Sequence, residues 1–83
     1  MFIKTFNGQK NVTGIVIKNA RERKKMTKKE LSKTLELYGV YIHRNELLLI
    51  EQNKLMVKDF ELLAISKVLD IDLNDLKSHF NNN

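Results

Sequence analysis

The chain has 83 residues, with 15 Lys and Arg against 10 Asp and Glu, no cysteine and no proline. That length holds it to one domain with a modest core, and the missing cysteines exclude a disulfide framework and a thiolate metal site. No apolar run approaches the roughly 18 residues of a membrane span and no apolar block of signal-peptide length opens the sequence, so the expected setting is cytoplasmic and away from membranes.

The charge is unevenly spread. Residues 1–35 carry ten Lys and Arg and two Glu, net +8, whereas residues 36–83 are net −3. The stretch "KNARERKKMTKKELSK" (18–33) holds eight basic residues and two acids. A solvated helix face is the ordinary reading of such a block. Its density and the high pI of about 9.6 make a polyanionic partner, nucleic acid or an anionic membrane surface, a serious candidate.

Residues 1–11 form an irregular arm in which Phe2, Ile3 and Phe6 make a short strand or a pin onto the body, with a turn at Asn7 and Gly8. A first helix is predicted over 12–25, because Val12, Val16, Ile17 and Ala20 fall on one stripe, with Lys18, Arg21, Glu22 and Lys25 largely off it. Thr27-Lys28-Lys29-Glu30 then reads as a capping box, flanked by Met26 and Leu31 at hydrophobic-staple spacing. Helix two continues through Leu31, Leu35 and Tyr38, and Gly39 ends it in a left-handed turn.

Helix three starts near His43, buries Leu47 and Ile50, and stops at Asn53. Helix four is expected over 59–69, with Leu62, Ile65, Ser66 and Leu69 inward and with Asp59 and Glu61 at the positive end of its dipole. Asp70 stops it. Asp72 caps a short helix five carrying Leu73, Leu76 and Phe80. The expected organisation is an arm (1–11), an all-α five-helix domain (12–80) and a fraying tail (81–83).

Three stretches carry a resemblance. "GIVIKNARERKKMTKKELS" (14–32), "IEQNK" (50–54) and "VKDFELLAISKVLDIDLNDL" (57–76) resemble, in order and spacing, the Cro/C1-type helix-turn-helix domains of the XRE family. The resemblance covers roughly residues 12–77. It implies a compact five-helix, lambda repressor-like fold and a sequence-specific, duplex-DNA-binding transcription regulator, a small repressor acting as a homodimer. The segment 35–42 is about five residues longer than the commonest family pattern, as in a subgroup with extra length before the recognition helix.

Counting back from Glu51 makes His43 the N-cap of the recognition helix. The resemblance then places His43, Arg44, Asn45 and Leu49 at base edges. Arg and Asn can bind guanine and adenine bidentately, and Leu can meet a thymine methyl. Thr27, Lys28, Lys29, Lys54 and Lys58 become the phosphate contacts. Arg21 and Glu51 become a partly buried structural ion pair between helix one and the recognition helix.

Glu46, Leu48 and Leu55 depart from the family pattern. Leu48, Leu49, Leu55 and Met56 together suggest an exposed apolar patch, which marks a protein interface. The competing reading is therefore an interaction module, an antitoxin- or inhibitor-like adaptor on a helix-turn-helix fold. An enzyme is not expected. His43 and His79 are far apart, no metal or cofactor motif is present, and the acids 70, 72 and 75 lack the Gly and terminal Glu of a calcium loop. Helix one lacks the aromatic-rich apolar face of a membrane anchor.

Overall fold

The computed structural model describes residues 5–81, in which five helices run in the order α1 (Gly14–Arg23), α2 (Lys28–Glu36), α3 (Arg44–Glu51), α4 (Asp59–Leu69) and α5 (Leu73–Asn81). Among the described residues there is no strand, only an isolated antiparallel bridge between Phe6 and Gln9. Asn7 and Gly8, both at positive φ, form the turn of that small hairpin. Phe2 and Ile3 of the expected arm lie outside the described residues. So do Asn82 and Asn83 of the tail, whereas α5 extends to Asn81.

α1 packs against α3, α4 and α5, and α2 packs against α3 and α4. The shared core is Ile17 and Ala20 from α1, Leu31 and Leu35 from α2, Val40 and Ile42 from the turn after it, Leu47 and Ile50 from α3, and Ile65, Leu69 and Ile71 from the end of the chain. Burial of the Val, Leu and Ile side chains among these, each worth about 1.5–3 kcal/mol, supplies most of the stabilisation. No helix of the described residues is long and apolar enough to cross a membrane.

Four helices end alike. Lys25, Gly39, Asn53 and Asp70 adopt left-handed φ values of 56°, 76°, 61° and 56°. After each, the next amide donates five residues back: Met26 to the Arg21 carbonyl, Val40 to Leu35, Lys54 to Leu49 and Ile71 to Ser66. This hydrogen bond satisfies a carbonyl that the helix leaves open and turns the chain sharply. Short helices can thus enclose a common core without proline.

Two expectations change. α1 is shorter than 12–25, because Asn11 Oδ1 accepts the amides of Thr13 and Gly14 at 3.0 and 3.1 Å and so starts the helix late. At its far end Lys25 is already left-handed. Tyr38 is not on the inner face of α2. The helix stops at Glu36, so the register from Leu31 and Leu35 lapses, and Val40 and Ile42 enter the core instead. Tyr38 is exposed and carries the Lys67 ammonium 5.8 Å from its ring centre. α5 carries Leu73, Leu76 and Phe80 as expected, with Leu76 packed on the core and Leu73 and Phe80 exposed.

Candidate functional site

The site is built around α3, whose two halves are held by different means. Its first turn is closed by reciprocal hydrogen bonds. His43 Nδ1 accepts the Asn45 amide at 3.1 Å, and Glu46 Oε1 accepts the His43 amide at 3.0 Å. Glu46, an acid at odds with a polyanionic surface, is thereby explained as a capping residue. With Nδ1 accepting, the ring nitrogen left to donate outward is Nε2. His43, Arg44 and Asn45 are all exposed.

The second half of α3 is locked. Leu47 and Ile50 are fully buried. Arg21 grips Glu51 bidentately, Nε to Oε2 at 2.7 Å and Nη2 to Oε1 at 3.1 Å, while its Nη1 donates to the Met26 carbonyl at 2.7 Å. Both residues are only 8% exposed. Helical periodicity alone puts Arg21 off the apolar stripe, and it is the pairing with Glu51 that lets it be buried. The hydrogen bond to Glu51 holds the guanidinium pKa above its ordinary value, against the opposing effect of burial.

A polar knot ties the start of α1 to the end of α3. Asn11 Nδ2 donates to the carbonyls of Ile50 (3.1 Å) and Leu55 (2.7 Å), and Asn53 Oδ1 accepts the Gly14 amide at 3.0 Å. A Cβ on Gly14 would sit 2.5 Å from Asn53 Oδ1 and 2.6 Å from the Glu51 carbonyl oxygen, and would also strike that of Ile50. Glycine is required here because two helix ends meet backbone to backbone.

α2 is placed beside this head. The Thr27 hydroxyl accepts the Glu30 amide at 3.0 Å and Glu30 Oε1 accepts the Thr27 amide at 2.9 Å, completing the expected capping box. The Thr27 amide's hydrogen bond to the carboxylate, helped by the Thr27 side chain, holds the Glu30 carboxyl pKa below its ordinary value. Lys28 is half-buried at the helix start and Lys29 is exposed. Ser32 Oγ donates to the Ile42 carbonyl at 2.6 Å, fastening the α2–α3 turn to α2. A solvent-open groove results, lined by Lys29, Ser32, Lys33, Glu36, His43 and Arg44.

Of the expected site residues, then, Lys29, His43 and Arg44 line one groove. Asn45 and Leu49 are exposed on α3 outside its lining, Leu49 one helical turn beyond Asn45. Thr27 and Lys28 sit at the start of α2. Lys54 and Lys58 are exposed on the α3–α4 connection, away from the groove. Lys33 belongs to the groove and was not singled out from the sequence; its spacing of four from Lys29 on one helix face is the signal that finds it. Lys24, in the basic block before α2, is partly exposed and makes a 2.6 Å surface ion pair with Asp70.

The apolar patch is narrower than expected. Leu48 and Leu49 are each 40% exposed and Met56 is 47% exposed, but Leu55 packs against the core. Among the described residues no cluster of three or more His, Asp or Glu side chains is arranged to hold a metal ion. Compared with known proteins, the chain matches no family model, no curated protein and no solved structure.

Proposed function

We propose that this chain is a Cro/C1-type helix-turn-helix regulator that binds duplex DNA, seats the head of α3 in the major groove and acts as a small homodimeric repressor. The observation that carries this reading is the division of α3. Its head presents His43, Arg44 and Asn45 to solvent beside Lys29 and Lys33, while its tail is fixed by Leu47, Ile50 and the Arg21–Glu51 pair. A rigid helix with exposed donors next to cations is what reading base edges between two phosphate strands requires. Arg44 and Asn45 are the base readers, with His43 Nε2 and Leu49 at the margins. Lys28, Lys29 and Lys33 address phosphates, and Lys54 and Lys58 extend the contact.

The test is binding to random-sequence duplex across a salt series, followed by selection of preferred sites from a pool. Each phosphate neutralised steepens the log–log salt slope by about 0.9. A flat salt response with no enriched sequence would sink the reading. A second reading, a protein-interaction module, is favoured by one observation, the exposure of Leu48, Leu49 and Met56. It is retained if duplex binding is absent and Leu48→Ser with Met56→Ser abolishes a protein contact that the unaltered chain makes.

A further inference from the structure

The turn between α2 and α3 carries a large side chain that the site so far leaves without a task. Tyr41 is 75% exposed, while its neighbours Val40 and Ile42 are buried at 8% and 2%. That in–out–in alternation belongs to an extended segment, in which successive side chains point to opposite sides. The segment is fastened twice, by the Val40 amide on the Leu35 carbonyl at 3.1 Å and by Ser32 Oγ on the Ile42 carbonyl at 2.6 Å. Tyr41 is thus held outward by a rigid backbone, at the cost of leaving an aromatic ring in water.

Its position is next to the reading head. Tyr41 lies two residues before the N-cap His43, at most about 7 Å along the chain. Lys28 and Lys29 stand at one end of α2 and the turn bearing Tyr41 follows the other. The head of α3, with His43 and Arg44, adjoins α2 along the groove that Lys29, Ser32, Lys33 and Glu36 line, so a duplex met by that head comes close to the Tyr41 turn as well. Tyr41 also shares a shallow groove with Ser32, Glu36, Ile42, His43 and Glu46. The two acids disfavour a phosphate in the groove itself, so a contact from Tyr41 is made outward, on the side where its ring meets solvent.

We infer that Tyr41 is a sequence-independent contact to the sugar–phosphate backbone beside the head of α3, its hydroxyl donating to a phosphate oxygen. This rests on the DNA-binding reading above. A neutral donor releases no counterion, so its thermodynamic signature differs from that of a lysine. The experiment is fluorescence-anisotropy titration of the whole chain and of Tyr41→Phe, on a selected duplex and a scrambled one, from low to high salt. Exposure of the ring means Tyr41→Phe folds normally, which circular dichroism checks, and Leu37→Ala, another exposed residue of the turn, serves as the control.

The expected result is a loss of about three- to tenfold for Tyr41→Phe, equal on both duplexes and with the salt slope unchanged. Unaltered affinity, a changed slope, or a shifted base preference overturns the assignment while leaving DNA binding intact. No salt-dependent binding by the unaltered chain overturns the DNA-binding reading itself, and this contact with it.

Discussion

Arg21 and Glu51, 30 residues apart in sequence, form a two-pronged ion pair that joins the first helix to the last residue of the third. With side chains only 9% and 4% exposed, the pair sits where a lone charge is not tolerated. Glu51→Gln or Arg21→Met leaves the other partner buried without its counter-charge, and either is expected to cost roughly 3–5 kcal/mol in urea unfolding. The double substitution Arg21→Met with Glu51→Leu is expected to recover most of that loss. Equal damage from single and double variants would contradict the charge argument.

Gly14 is expected to be as sensitive as any core residue although it has no side chain. Gly14→Ala sets a methyl against the Ile50 and Glu51 carbonyls and the Asn53 amide oxygen. Crowding of this kind costs about 1–3 kcal/mol, against the small gain an alanine brings by restricting the unfolded chain. Thermal unfolding measures the balance. A stabilised Gly14→Ala would show that α1 and α3 have room to part.

Asn53 performs two tasks, a left-handed stop for α3 and an acceptor for Gly14. Asn53→Gly keeps the first and loses the second, so it is expected to be milder than Asn53→Ala, which loses both. At Lys25, left-handed and with no such hydrogen bond from its side chain among those described, Lys25→Gly is expected to be neutral or stabilising by about 0.5–1 kcal/mol. Chemical denaturation of the three variants orders them.

The Glu30 carboxyl titrates below its ordinary range because it accepts the Thr27 amide. A carboxyl depressed by folding adds stability that is fully present above its unfolded pKa of about 4.3. That contribution fades as pH falls through the lower folded value. The stability gap between the unaltered chain and Glu30→Gln is therefore expected to be constant from pH 5 to 7 and to narrow in the acid range. A gap that widens on acidification would contradict the capping box.

Much of the fold is legible in the sequence, since the chain announces its helix boundaries with chemistry that acts locally. Thr27 and Glu30, Asn53, Asp70 and the Asp72–Asp75 cap, where the Asp75 amide reaches Asp72 Oδ1 at 2.9 Å, need only neighbours a few residues away. What periodicity missed depends on distant partners. The burial of Arg21 needs Glu51, which only the family resemblance supplied. The late start of α1 comes from Asn11, which also reaches the backbone around residues 50–55. Gly14 looks ordinary until α3 is laid against it, and Tyr38 lies off the inner face because the helical register lapses after Glu36, short of Gly39. The role of Glu46 is local, a cap on the His43 amide three residues before it, whereas that of Lys33 emerges only when α2 and α3 are set side by side.

Phe6 on the N-terminal hairpin meets Phe80 of α5 with ring centres 5.4 Å apart. Such a pair is worth about 0.5–1.5 kcal/mol beyond buried area. Phe6→Ala is expected to speed amide hydrogen exchange in α5 while leaving α2 and α3 protected. Uniform loss of protection across all helices would mean that the hairpin supports the whole core.

The central claim is that the head of α3 reads bases while α2 holds phosphates. Its most direct test is one affinity measurement, repeated on a preferred and a scrambled duplex for Arg44→Ala and Lys29→Ala. Arg44→Ala is predicted to lose about 1–3 kcal/mol on the preferred site and far less on the scrambled one. Lys29→Ala is predicted to weaken both alike and to lower the salt slope by about 0.9. Equal losses from Arg44→Ala on every sequence would contradict the placement of α3, and no effect from either variant would contradict the DNA interface altogether.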